Sequence, residues 1–106
     1  MGLLAGRNDL ELLERTRTGR DINRHCYSLE EVGREAERPV VRRLLNLLRF
    51  RNRCRAFDGE FSLERVGTWA LNLIWTLEGE TAELRADFRN GDFAILHRGA
   101  AVSLED

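Results

Sequence analysis

The sequence predicts an α+β fold in which short helices are followed by an antiparallel β meander. In residues 39–50 apolar side chains recur with the period of a helix, whereas from residue 69 onward they alternate with polar ones as in strands. The dipeptide Asn90-Gly91 adds a strong hairpin signal between two of these strands. Because the helical patterns all precede the main strand patterns, the order favours α+β over an alternating α/β architecture.

The first predicted helix is short and leads into a polar loop. Asn8 or Asp9 can cap this helix, which should end before Thr18-Gly19 because glycine commonly terminates helices. The loop over residues 19–27 is dense in hydrogen-bonding groups, a composition that in loops can indicate ligand binding. The alternative is that these groups only bond to one another and fix the loop.

Two further helices are predicted after the loop. Ser28 and Glu31 have the spacing of a capping box, and Pro39 suits the first position of the next helix because its missing N–H would be unpaired there. The apolar stripe of that last helix needs a surface to pack against. It consists of Val41, Leu44, Leu45 and Leu48, widened by Val40, Leu47 and Phe50. Arginines on the opposite flank could bind RNA, but a solvated or ion-paired face is the stronger interpretation because no aromatic residues are interleaved.

Three strands form the core of the predicted meander. The alternate positions that define them are Trp69, Leu71, Leu73, Trp75 and Leu77 in the first, Ala82, Leu84, Ala86 and Phe88 in the second, and Phe93, Ile95 and His97 in the third. A turn over residues 78–81 joins the first two strands, and residues 61–66 and 101–104 are expected as edge strands. The two tryptophans could stack on a sugar, but tryptophan in an alternating strand is usually a core residue.

Length and composition limit the classes of function. The chain has 106 residues, of which 42% are hydrophobic and 33% charged, so we expect a folded globular protein with one modest core. Its formal net charge of -1 creates no field that would attract nucleic acid or an acidic membrane, so neither is expected as a partner. No apolar run approaches the roughly 20 residues of a membrane span.

The cysteines and carboxylates give no sign of a metal centre or a catalytic pair. Cys26 and Cys54 lack CxxC spacing, so we expect reduced thiols in a cytoplasmic protein, with no metal site and no cofactor. The adjacent carboxylates Glu30 and Glu31 fall at a helix start, where they complement the helix dipole. A glycosidase pair would instead need two carboxylates facing each other across a sugar.

Several sequence blocks in the first 60 or so residues resemble, in order and spacing, the end of the sucrose phosphorylase family of the α-amylase superfamily. The blocks are Gly2-Leu3-Leu4-Ala5-Gly6, Gly19-Arg20-Asp21-Ile22-Asn23-Arg24-His25, Arg38-Pro39-Val40-Val41 and Ala56-Phe57-Asp58-Gly59. The strands beyond fit the C-terminal β domain of that family in pattern only. Two positions depart from the family: Cys26 stands where tyrosine is usual, and Arg53-Cys54-Arg55 replaces a segment that usually carries proline.

The resemblance implies a retaining glycosyltransferase or glycoside hydrolase built on a (β/α)8 barrel, which transfers the glucosyl group of sucrose to phosphate. It also implies that residues 1–57 form the end of the barrel with its last active-site loop and helix, and residues 58–106 the C-terminal β domain, unless the two form one compact unit. In the family the catalytic carboxylates precede the point where this chain begins. We therefore expect a truncated chain with no catalytic residue of its own and no activity alone.

Residue roles follow from the same resemblance. Arg20 matches the family arginine that contacts the bound glucosyl unit, and Asp21, Asn23, Arg24 and His25 support the loop. A sugar or phosphate ligand is expected only in the context of a full barrel. The alternative to this enzyme-derived function is a stand-alone module that self-associates, as a homo-oligomer, through the helix face of Val41, Leu44, Leu45 and Leu48.

Overall fold

A computed structural model describes residues 2–105 and shows three α-helices followed by a five-stranded antiparallel sheet in that part of the chain. The elements are α1 (Leu10–Thr16), α2 (Leu29–Ala36), α3 (Pro39–Arg53), β1 (Glu60–Val66), β2 (Ala70–Leu77), β3 (Glu80–Asp87), β4 (Phe93–His97) and β5 (Ala100–Ala101). Short 3₁₀ helices cover Gly2–Leu4, Gly19–Asn23 and Arg55–Asp58. The predicted α+β class is confirmed. Within these residues, no helix has both the length and the apolar character that crossing a bilayer requires.

The chain divides into two compact units, and the division falls within α3. A helical unit comprises the residues up to Leu47 together with Glu105, and a sheet unit comprises Leu48–Leu104. The helical unit holds α1, α2 and most of α3, whereas the sheet unit holds the end of α3 and all five strands. The boundary between residues 57 and 58 that the family resemblance implies stays a prediction.

Side-chain caps fix where the first two helices begin. Of the two predicted caps for α1, Asp9 is the one used, since its Oδ1 accepts from the backbone N–H of Leu12 at 2.8 Å. Ser28 and Glu31 form the predicted capping box at α2. The end of α1 was expected to depend on glycine, but Arg17 takes the left-handed conformation there, with φ 53°, and donates its N–H to the carbonyl of Leu13.

The sheet is a simple meander in the order β1-β2-β3-β4-β5, with every neighbouring pair antiparallel. The β2–β3 turn is tighter than the predicted four residues, because Glu78 and Gly79 alone make it, both with positive φ as a type I′ turn requires. The predicted edge strand at 101–104 is wrong in extent. A second positive-φ pair, Arg98 and Gly99, turns the chain earlier and confines β5 to Ala100–Ala101.

The register of the strands collects the apolar residues on one face of the sheet. Trp75 pairs with Phe61 on one side and with Ala82 on the other, so these three side chains share that face. The 3₁₀ helix at Arg55–Asp58 contacts β2, and its Phe57 ring lies 5.0 Å from the Trp75 ring. The core prediction therefore holds for Trp75. It is wrong for Trp69, which precedes β2 and is 57% exposed.

A close backbone approach at Gly59 is a requirement that the strand pattern alone does not reveal. A Cβ at this position would collide with the carbonyl oxygen of Thr76 and come within 2.8 Å of the Leu77 Cβ. Both obstacles belong to the β2 strand, so the collision cannot be relieved by turning a flexible side chain. Only glycine therefore fits where the chain enters β1.

We predict that Gly59→Ala lowers the free energy of unfolding of the sheet unit by about 1–3 kcal/mol, because the added methyl group collides with the backbone of β2. Urea unfolding followed by tryptophan fluorescence measures this, since Trp69 and Trp75 both lie in the sheet unit. Gly33→Ala is the matched control. A Cβ there meets nothing within 4 Å, so this change inside α2 should stabilise the helical unit by about 0.5–1 kcal/mol. Equal unfolding curves for Gly59→Ala and the parent chain would contradict the account.

Candidate functional site

The polar loop that the sequence singled out is held in place by backbone hydrogen bonds. Residues Gly19–Asn23 form a 3₁₀ helix, in which Asp21 donates its N–H to the carbonyl of Thr18 at 2.9 Å. Asp9, at the start of α1, donates its N–H to the carbonyl of Ile22 at 2.8 Å. The loop is therefore anchored to the first helix through main-chain atoms and does not depend on its side chains alone.

His25 lies between the starts of α1 and α2 and bonds to an acidic residue from each. Its Nδ1 is 2.8 Å from Asp9 Oδ2, and its Nε2 is 3.5 Å from Glu31 Oε1. The second oxygen of Glu31, Oε2, accepts from the backbone N–H of Ser28 at 2.7 Å. Tyr27 packs edge-on against the imidazole, with ring centroids 4.6 Å apart. We call Asp9, His25 and Glu31 the histidine clamp, because they tie the end of the loop to two helix caps.

The electrostatics of the histidine clamp favour charged forms on all three residues. The hydrogen bond that His25 donates to Asp9 raises the pKa of His25, and Glu31 adds to that effect. The hydrogen bond with His25 lowers the pKa of Asp9, as does the backbone N–H of Leu12. The backbone N–H and the side chain of Ser28 lower the pKa of Glu31, with a smaller contribution from His25. All three side chains remain partly exposed to solvent, which screens the attraction.

An open cleft of about 690 Å³ borders the histidine clamp within the helical unit. Tyr27, Glu35 and Arg38 contribute to its lining. The Nη1 of Arg38 donates to Glu35 Oε2 at 2.7 Å and to the carbonyl oxygens of Leu4 and Ala5 at 3.3 Å. Donors and acceptors are thus interleaved around the cleft, but four carboxylates line it against two arginines and one histidine. This lining suits the hydroxyl groups of a ligand and disfavours an anion.

The residues predicted to form the site do not all lie at the cleft. Among the residues that the structure describes, none bonds to the guanidinium of Arg20, which is exposed on the 3₁₀ helix and lies outside the cleft. Arg24 instead pairs with Asp21 at 3.8 Å within the loop, and Asn23 is exposed. Only His25 of the predicted set lines the cleft. The assigned roles of these residues stay predictions.

Sequence reasoning missed the two acidic partners of His25. Asp9 and Glu31 were identified only as helix caps, and their sequence separation from His25 gave no sign that they share it. One feature of the sequence could have revealed this contact: the histidine lies between two carboxylates at helix starts. A capping carboxylate uses one oxygen to accept from the helix N–H groups, so its other oxygen is free to accept from a histidine.

A second polar cluster lies in the sheet unit, where the sequence predicted no metal site. The Nε2 of His97 is 2.8 Å from Glu80 Oε1, and Cys54 Sγ donates to the same oxygen at 3.7 Å. Arg98 donates to the other oxygen, Glu80 Oε2, at 3.3 Å. Burial raises the pKa of the Cys54 thiol, whereas the hydrogen bond from His97 lowers the pKa of Glu80. The three residues are distant in sequence, and only the packing of the Cys54 segment on the paired strands β3 and β4 brings them together.

Comparison with known proteins relates the chain to carbohydrate phosphorylases. A sucrose phosphorylase of Agrobacterium vitis is 46% identical over 99 residues, which are 93% of this chain and 20% of that protein. A glucosylglycerol phosphorylase of Marinobacter adhaerens is 49% identical over 75 residues, 71% of this chain and 16% of that protein. No family model matches the chain.

A solved structure gives the same relationship in three dimensions. The crystal structure of sucrose 6F-phosphate phosphorylase from Thermoanaerobacter thermosaccharolyticum superposes with a TM-score of 0.88 at 39% identity, covering 95% of this chain and 21% of that one. The chain thus spans about a fifth of the length of the curated relatives it matches, and the matched part is their C-terminal portion.

The histidine clamp predicts a measurable shift in the titration of His25. In the 106-residue chain, NMR titration should give His25 a pKa above the ordinary histidine value of about 6.5, and Asp9→Asn should return it toward that value by removing the largest cause of the shift. Asp21→Asn is the matched control, since Asp21 pairs with Arg24 and should leave His25 unchanged. A titration of His25 that is insensitive to Asp9→Asn would contradict the clamp.

The same shifts set the pH window in which the clamp stabilises the helical unit. The raised pKa of His25 adds stability that is complete below about pH 6.5 and lost as the pH rises through the folded-state pKa. The lowered pKa values of Asp9 and Glu31 add stability that is present above about pH 4.5 and lost as the pH falls through the pKa values of the folded state. When urea unfolding is followed by the helix content of the chain, the helices should therefore be most resistant to urea between these two pH values.

Proposed function

The chain corresponds to the C-terminal portion of a sucrose-phosphorylase-type enzyme, and we propose that it supplies the last active-site loop and the C-terminal β domain for glucosyl transfer from sucrose to phosphate. The observation that carries this proposal is the superposition with a phosphorylase structure over 95% of the chain. The transfer itself is assigned to carboxylates outside these 106 residues, so the chain alone is inactive. Two free cysteines fit a cytoplasmic location.

The state of the acidic groups beside the cleft supports a non-catalytic role for this chain. A retaining enzyme needs a free carboxylate nucleophile and a carboxylic acid whose pKa is raised so that it can donate a proton. Asp9 and Glu31 both have lowered pKa values, and both bond to His25 and to helix N–H groups. Neither residue is therefore prepared to act as nucleophile or acid.

Arg20 is the residue we propose to contact the substrate. Its guanidinium extends from a loop that is fixed by main-chain bonds, and its five donors have no partner among residues 2–105. The related phosphorylases are named for sucrose, sucrose 6(F)-phosphate and glucosylglycerol, which share the glucosyl group and differ in what it is attached to. A contact with the glucosyl unit is the role that all of these reactions could use, so Arg20 does not select the acceptor.

Activity measurements test both parts of the proposal. The isolated chain should release no glucose 1-phosphate from sucrose and phosphate. When the chain replaces the matched C-terminal portion of the Agrobacterium vitis enzyme, the chimera should be active, and Arg20→Ala should lower its kcat/KM about 10–100-fold, as expected for losing a charged hydrogen bond.

Arg89→Ala is the control for that chimera, because Arg89 is also an exposed arginine but lies in the β3–β4 connection. It should leave kcat/KM unchanged. Release of glucose 1-phosphate by the isolated chain would refute the proposal that the chain alone is inactive. An Arg20→Ala chimera as active as the Arg89→Ala chimera would refute the role of Arg20.

A second candidate function is self-association, and the exposed apolar side chains of α3 favour it. Val41 is fully buried within the chain itself, and Leu44 and Leu45 are half-buried, whereas Val40 and Leu48 are exposed. Contacts through this helix would therefore centre on Val40 and Leu48 and not on Val41. Pairing two copies would remove these side chains from water.

The molar mass in solution tests this second function. Light scattering over a concentration series should show the 12.3 kDa chain forming dimers or larger species, and the double variant Val40→Arg with Leu48→Arg should restore the monomer. Leu29→Arg is the control, since Leu29 is 90% exposed on α2 and should not alter association. A parent chain that stays monomeric at every concentration would rule out self-association.

A further inference from the structure

We propose that Cys54, Glu80 and His97 form a binding site for a zinc ion in the sheet unit. Their ligand atoms, a thiol sulfur, a carboxylate oxygen and an imidazole nitrogen, all lie within 4.8 Å of one another. These are the three ligand types that zinc uses in proteins, and three protein ligands plus water complete its usual fourfold coordination. The proposal is independent of the glucosyl-transfer function, because none of these residues lies in the loop or in its cleft.

The spacing of the ligand atoms is close to that of a tetrahedral zinc site. Zn–S and Zn–O bonds of about 2.3 and 2.0 Å place sulfur and oxygen about 3.5 Å apart at the tetrahedral angle. Cys54 Sγ and Glu80 Oε1 are 3.7 Å apart. His97 Nε2 and Glu80 Oε1 are 2.8 Å apart, a hydrogen-bond distance that would widen by about half an ångström when the metal replaces the shared proton.

Charge and burial around the cluster also suit a divalent cation. When zinc binds, the S–H bond of Cys54 breaks, a Zn–S bond forms and the proton leaves to solvent. Thiolate and carboxylate then balance the two charges of the metal. The Nε2 proton that His97 donates to Glu80 moves by way of solvent to Nδ1, so His97 binds through Nε2 as a neutral imidazole. Arg98 holds the second oxygen, Glu80 Oε2, so that Oε1 stays directed at Cys54 and His97. Cys54 is only 5% exposed and packs with Ala56 and Ala82, which keeps the sulfur away from bulk water.

The ligand set favours zinc over the hard cations. Mg²⁺ and Ca²⁺ select oxygen ligands, whereas a thiolate with an imidazole selects zinc and other late transition metals. An open cleft of about 410 Å³ borders Glu80 and Arg98, and it gives a metal ion and a coordinating water a route to the cluster.

Zinc would crosslink separate segments of the sheet unit. Cys54 immediately precedes the 3₁₀ helix Arg55–Asp58, Glu80 begins β3, and His97 ends β4. One ion would therefore connect the segment that covers the sheet to two of its strands. Because the site exists only in the folded arrangement, zinc binding would raise the free energy of unfolding of the sheet unit.

Titration of the full chain with metal ions tests the proposal. After removal of bound metal with a chelator, calorimetry should show one Zn²⁺ bound per chain, and Co²⁺ should produce the near-ultraviolet charge-transfer absorption of a cobalt–thiolate bond. Cys54→Ser and His97→Gln should each weaken Zn²⁺ binding by more than about tenfold. Cys26→Ser is the matched control, since Cys26 is the exposed cysteine of the helical unit and should leave binding unchanged.

The Co²⁺ spectrum keeps the proposal falsifiable if a variant fails to fold, because it is recorded on the unaltered chain. A spectrum without the thiolate band would overturn the site, as would the absence of binding that saturates at one equivalent. Zinc binding that Cys54→Ser leaves intact would also overturn it. None of these outcomes bears on glucosyl transfer, which is judged by the Arg20 chimeras alone.

Discussion

The sheet unit depends on covering the apolar face of its sheet, and within that unit the segment from Phe50 to Phe57 covers one end of it. The aromatic rings of Phe50 and Phe57 and the turn around Cys54 pack on that face near Trp75. Farther along the same face, Leu63 and Phe93 remain more than half exposed. Exposed apolar patches of this kind commonly mark contact surfaces, which is why both functions we propose bury them, against the rest of an enzyme or against a second copy. Homology to about a fifth of a phosphorylase gives this requirement a natural explanation.

In the helical unit, the loop is positioned by caps that serve two purposes. Asp9 and Glu31 each satisfy helix N–H groups with one oxygen and hold His25 with the other. His25, at the end of the loop, is thereby bonded to both caps, whereas Arg20 is exposed. A loop that binds a sugar benefits from such rigidity, because the backbone that carries the arginine is already ordered and only the side chain loses freedom on binding. The motif thus separates positioning residues from the residue proposed to contact substrate.

Sequence periodicity predicted most of the fold because helices and alternating strands are local patterns. The capping box at Ser28 and the strand pattern ending at Leu77 were both recovered. The early turn at Arg98-Gly99 was missed, since arginine rarely signals a positive φ, and Trp69 was placed in the core although β2 begins one residue later. The histidine clamp and the Cys54–Glu80–His97 cluster were not predictable from spacing, because each joins residues that only tertiary packing and strand register bring together.

If this chain works as the C-terminal portion of a larger glucosyl-transferring enzyme, as we propose, it should restore activity when it is added to an enzyme that lacks that portion. Agrobacterium vitis sucrose phosphorylase shortened by the region that the chain matches should be inactive alone. Adding the purified chain should restore release of glucose 1-phosphate in proportion to the amount added, until the shortened enzyme is saturated. If a folded, shortened enzyme binds the chain and gains no activity, the claim is contradicted.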